Sequence, residues 1–145
     1  MKAILTILAI MSFTITFADN NCNKCNLEKV KIANEHIDSL TFEIVSDFIY
    51  TYDDSCKNNA EYSEWFNETL FKILDKSPDL FFSVIIKEQL DNRFLLEEVE
   101  NPILDFDFQE IYNKLKLVPT SNNIKTKFLV AIKTAAKKNG QKIIE

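Results

Sequence analysis

Scarcity of turn-forming residues is what most narrows the fold of this chain. Gly140 is the single glycine among 145 residues, and only Pro78, Pro102 and Pro119 represent proline. Hairpins, sandwiches and barrels draw on both residue types for their turns, so a turn-rich β-protein is a poor match. Helix is what remains, and apolar residues recur at helical spacing almost throughout.

Leu27, Val30, Ala33, Ile37 and Leu40 lie three or four residues apart, and Ile44, Val45, Phe48, Ile49 and Tyr52 continue the stripe. A break is expected between the two runs. Ser39-Leu40-Thr41 with Glu43 reads as a fresh helix start, Thr41 capping and the carboxylate sitting in the first turn. After the polar turn Asp53-Asp54-Ser55-Cys56-Lys57, Asn58 and Glu61 have capping-box spacing. They open a helix whose packing face holds Tyr62, Trp65, Phe66, Thr69, Leu70 and Ile73. Ser77-Pro78-Asp79 combines a cap, a first-position proline and a first-turn acid. The helix behind it, through Phe81, Phe82, Val84, Ile85, Ile86 and Leu90, is apolar on most sides and is expected to be the buried central element. A short segment with Phe94, Leu95, Leu96 and Val99 ends at Asn101-Pro102. Asp107 and Glu110 make a second capping box ahead of Phe108, Ile111, Tyr112 and Leu115. Pro119-Thr120-Ser121 is a stop and restart, and Ile124, Phe128, Ala131, Ile132 and Ala135 stripe the last helix up to Asn139-Gly140. The expected fold is therefore all-α, a compact bundle of five to seven short helices. Successive short pairs also resemble a helical-repeat stack of the HEAT sort, a resemblance of architecture alone.

The N-terminus reads as an export signal. Lys2 is followed by the apolar run Ala3 to Met11, and Thr16-Phe17-Ala18 offers small residues at the −3 and −1 positions of a cleavage site. Ser12, Thr14 and Thr16 interrupt the run well short of the roughly 20 apolar residues a spanning helix needs. Residues 1–18 are thus expected to be a cleaved signal peptide and residues 19–145 a single soluble helical domain. Its expected location is extracytoplasmic, periplasmic or secreted.

Export makes cysteine pairing the default. Cys22 and Cys25 form a CxxC, and Cys56 is the third cysteine. An unbroken helix from Leu27 to Tyr50 would separate the flanking segments by roughly 36 Å, whereas a disulfide needs Cα atoms about 4.4–6.8 Å apart. A chain that turns back near Ser39–Thr41 brings Cys25 beside Cys56. The predicted bond is Cys25–Cys56, with Cys22 as the alternative partner or left free. A catalytic CxxC normally opens a helix after a strand, which is missing here.

Charge is unevenly spread over a chain of net charge −5. Glu35 to Glu110 holds 19 Asp and Glu against 5 Lys and Arg, whereas Ile111 to Glu145 holds 8 Lys and 1 Glu. The acidic part argues against nucleic acid as a partner. The basic part could touch an anionic surface, although the simpler expectation is that the two parts pair within the fold.

Constellations for chemistry are weak. His36 is the only histidine, so no Ser-His-Asp or Cys-His arrangement can be placed. Three cysteines and one histidine do not furnish a good zinc site. The carboxylates Asp53-Asp54, Glu97-Glu98 with Glu100, and Asp105 with Asp107 lack the glycine and alternation of a calcium loop. Asn67-Glu68-Thr69 is a glycosylation sequon inside a helix. The sequence therefore predicts no catalytic residue, metal or cofactor, and a non-catalytic binding or structural module. One version is an inhibitor or immunity-type protein docking a basic partner through Asp53, Asp54, Glu61, Glu64 and Glu68. The alternative is an extracytoplasmic thiol-redox protein using Cys22 and Cys25.

Overall fold

A computed structural model of the chain describes residues 24–120 and 123–145. Their regular structure is entirely helical: α1 (Leu27–Glu35), α2 (Phe42–Tyr50), a 3-10 turn (Asp54–Asn58), α3 (Ala60–Lys76), α4 (Pro78–Lys87), α5 (Arg93–Glu100), α6 (Phe108–Leu117) and α7 (Asn123–Lys138). The expected signal peptide and Cys22 lie outside the described residues. Among those described, no helix is long and apolar enough to cross a membrane.

Helix ends fall where short polar side chains satisfy orphan amides. Asn26 accepts from the Lys29 amide, Thr41 from Ile44 and Asp107 from Glu110. The expected break after α1 is present, with Ile37 to Leu40 turning the chain before Thr41. One cap moves by a residue. The 3-10 turn runs through Asn58, so Asn59 takes the capping role and accepts from the Tyr62 amide at 3.2 Å. Ser77 stands at the cap position of α4 without a side-chain hydrogen bond, and Pro78 and Asp79 define that start instead.

The central element is α3, not α4. It touches α1, α4, α5, α6 and the 3-10 turn, and it buries Phe71 and Leu74 as well as the face legible in the sequence. Neighbours on several sides explain why one amphipathic stripe understates its burial. α4 instead leaves Ser83, Ile86 and Lys87 exposed. Phe81 and Phe82 are buried and meet Phe128 of α7 edge to face, at centroid distances of 5.2 and 5.4 Å. Each fully buried phenylalanine contributes about 1.5–3 kcal/mol of transfer free energy. Trp65 is only partly buried, with the Lys31 ammonium 5.3 Å over its ring.

Asn67 is wholly buried and knits α3 to α5. Its amide nitrogen donates to the carbonyl oxygens of Glu98 and Asn101 and to Glu98 Oε2, while its Oδ1 accepts from the Ile103 amide at 3.0 Å. A glycan could not reach this sequon in the folded chain. Burial raises the Glu98 carboxyl pKa, against the opposing effect of the Asn67 hydrogen bond.

Acidic and basic parts pair less than the sequence suggests. Lys114 joins Asp75 at 2.6 Å and Glu110 at 2.7 Å, and Lys133 joins Glu145. Among the described residues, no other lysine after Ile111 forms an ion pair with a carboxylate.

Candidate functional site

Cys25 and Cys56 are joined, with Cα atoms 5.4 Å apart. Two antiparallel helices bring them together, as the early helix break requires. Cys25 takes φ +53°, and its amide donates to Thr51 O at 2.7 Å. The neighbouring Lys24 ammonium donates to Tyr52 O at 3.0 Å. Two hydrogen bonds thus fasten residues 24–25 to the end of α2, and the disulfide ties them to the 3-10 turn. They also fix one wall of a depression beside the disulfide.

That depression, about 460 Å³, is lined by Lys24, Tyr52, Asp53, Asp54, Asp91, Arg93, Phe94 and Glu97. Tyr52 and Phe94 stack with centroids 4.2 Å apart and rings nearly parallel, which gives it an aromatic side. Tyr52 comes from the exit of α2 and Phe94 from the first turn of α5. The pair therefore joins the start of α5 to the segment that follows α2. Arg93, the sole arginine of the sequence, grips Asp91 through Nε and a terminal nitrogen. Those hydrogen bonds hold the Asp91 carboxyl below its ordinary range. Asp53 is similarly lowered, by the hydroxyl and amide of Ser55. Lys57 spans Asp54 and Glu97, each at 3.3 Å, and both hydrogen bonds raise its pKa. Among the described residues, the buried Tyr52 hydroxyl has no hydrogen-bond partner of good geometry. Burial, and then the Glu98 charge, raises its pKa.

The five acidic residues singled out in the sequence do not form one face. Asp53 and Asp54 open toward α5. Glu61 and Glu68 border α1, where Glu61 meets Lys31 at 3.3 Å and Glu68 meets Lys72 at 2.7 Å. Lys72 continues to Asn34 of α1 at 2.8 Å. Glu64 is exposed on the same helix. Sequence reading missed Asp91 and Glu97 as partners of Asp53 and Asp54, since some forty residues separate them in the chain. Only the lone arginine beside Phe94 hinted at a specialised position.

His36 is exposed at the end of α1, with Nδ1 3.4 Å from Ser39 Oγ. Among the described residues, no group of three or more His, Cys, Asp or Glu side chains is placed to hold a metal ion. The Cys25–Cys56 bond occupies one of the two cysteines that a Cys22/Cys25 redox centre would use. Chemically, the depression can receive a cation: four carboxylates line it against two cations, Lys24 and Arg93, and the half-buried Phe94 ring on its aromatic side suits an ammonium or guanidinium group. No family model matches the chain, and no curated protein or solved structure matches it either.

Proposed function

We propose that this chain is a non-catalytic binding module working outside the cytosol, which docks a basic protein partner. The observation that carries the reading is the depression beside the disulfide, where Asp53, Asp54, Asp91 and Glu97 surround the Tyr52–Phe94 stack. A lysine or arginine of the partner would enter there, displacing the exposed Lys57 ammonium from Asp54 and Glu97 and lying against the rings. Exchange of one exposed cation for another costs little, because surface ion pairs contribute only about 0–1 kcal/mol. Glu61, Glu64 and Glu68 would steer the approach through long-range charge. An inhibitor or immunity-type role is the concrete form of this proposal. Export through residues 1–18 is the accompanying proposal on location, supported by a disulfide of the kind that persists in oxidising compartments.

The test is a titration of the ¹⁵N-labelled protein with a short arginine-containing peptide, followed by amide chemical shifts. Shifts concentrated at Tyr52–Asp54 and Arg93–Glu97, and abolished by Asp54→Asn with Glu97→Gln, are expected. Uniform shifts that persist in that double variant would refute the assignment.

A further inference from the structure

We propose that the outer face of α7, with the chain that follows it, docks on an anionic lipid bilayer. This surface lies apart from the depression, and the proposal does not rest on the reading given for it. α7 carries five lysines and no carboxylate. Lys127, Val130 and Lys137 share its outward face by helical spacing, and Val130 is 54 % exposed. Lys137, Lys133 and Lys142 line one shallow depression with Ile143. Ile144, beside the Lys133–Glu145 pair, is 77 % exposed, and Leu117 at the end of α6 is a further bare aliphatic, 82 % exposed.

The tail is held in place rather than left loose. Ile144 donates its amide to Gln109 Oε1 at 2.7 Å, and its carbonyl accepts from Gln109 Nε2 at 3.1 Å. Glu145 pairs with Lys133, whose ammonium also lies over the Tyr112 ring. Other cations in this part are committed internally. Lys125 binds the carbonyl oxygens of Lys116 and Val118, and Lys138 binds Asn101. Lys127, Lys137 and Lys142 have no carboxylate within ion-pair distance among the described residues; the Lys127 charge acts on Asp91 from farther off, whereas Lys137 and Lys142 are exposed.

Charge alone would suit any polyanion. The aliphatics decide between them. Val130, Leu117 and Ile144 stand singly among lysines, so they form neither a contiguous apolar patch nor the pocket that a protein anchor residue would fill. Phosphodiester backbones gain nothing from them. A headgroup interface accepts both: lysine stems lie along it while their ammonium groups meet lipid phosphates, and single aliphatics dip past the headgroups. The carboxylate-rich part built by α1 to α5 is repelled by the same surface, which turns α7 toward it.

Co-sedimentation of the full chain with vesicles tests this. Vesicles of equal parts phosphatidylcholine and phosphatidylglycerol should bind about tenfold more tightly than phosphatidylcholine alone. Lys127→Glu with Lys137→Glu should return binding to the phosphatidylcholine level, and Val130→Ser should weaken it several-fold with helicity unchanged. Equal binding to both vesicle types overturns the proposal. So does binding unaffected by the double charge reversal, which would point to the apolar N-terminal run instead. Binding reduced by charge reversal but indifferent to Val130→Ser and Leu117→Ser overturns the lipid assignment.

Discussion

The two ends of this molecule are held together by different means. At one end, α1 and α2 have nine residues each, too short to be stable helices in isolation. Side-chain caps at Asn26 and Thr41, the Cys25–Cys56 bond and the Phe48–Phe66 stack at 4.5 Å secure them. At the other end α7 has 16 residues, and no disulfide reaches it among the described residues. It is anchored by packing, above all by Phe128 wedged against Phe81 and Phe82. Local satisfaction and a covalent tie thus replace length at the first end, and core volume suffices at the second.

The most damaging way to probe this contrast is Phe128→Ala. Removing a fully buried ring should cost about 3–5 kcal/mol, because the cavity adds to the lost transfer energy. Urea denaturation at neutral pH measures it. Replacing both Cys25 and Cys56 by serine should cost less, about 2–4 kcal/mol, since the bond constrains the unfolded chain over a separation of 31 residues. A cysteine double variant that loses more than Phe128→Ala would reverse the ranking of the two ends.

Between the ends sits Glu98, whose effect depends on pH. Its folded pKa is raised above the ordinary 4.5 by burial. The folded chain therefore holds this proton at pH values where the unfolded chain has released it. Stability from this group is fully present below the ordinary glutamate value and is lost as pH rises through the raised one. Glu98→Gln keeps an acceptor for Asn67 and removes the titration. The stability of the native chain relative to this variant should therefore fall from pH 4.5 toward neutrality in urea denaturation; a difference that stays constant would contradict it.

Much of the fold was legible in the sequence because its signals are local. Thr41, Asp107, Pro78 and Gly140 each act on the turn beside them, so spacing alone located the helix ends. The Cys25–Cys56 pairing was legible for a different reason: helix length made it incompatible with an unbroken α1–α2. What stayed hidden depends on which elements meet. The central place of α3 follows from neighbours on several sides, and no periodicity along one helix records them. Asn67 read as a sequon residue because its partners at Glu98, Asn101 and Ile103 lie more than thirty residues away. The depression stayed hidden likewise, since Tyr52 and Phe94 stack across two elements. The acidic and basic parts meet through Lys114 with Asp75 and Glu110, while Lys125 and Lys138 of α7 bind carbonyl and amide oxygens instead of carboxylates.

The smallest effect gives the sharpest comparison, between the ends of α4 and α7. Both close with the same motif. Gln141 N donates to Ala136 O at 2.8 Å and Gly140 N to Lys137 O, as Leu90 N donates to Ile85 O at 3.1 Å and Gln89 N to Ile86 O. Each motif needs a left-handed residue, with φ +72° at Gly140 and +51° at Gln89. For a residue with a Cβ that conformation costs roughly 1–2 kcal/mol, whereas a glycine loses about 0.5–1 kcal/mol more backbone freedom on folding. The first effect is the larger, so Gln89→Gly should stabilise the chain by about 0.5–1 kcal/mol. Gly140→Ala should cost a similar amount. No heavy atom lies within 4 Å of the added Cβ, so that cost is conformational rather than steric. Paired thermal and urea measurements on the two variants should give shifts of opposite sign and comparable size. A destabilised Gln89→Gly would mean that unfolded-chain entropy, not the left-handed backbone, governs these helix ends.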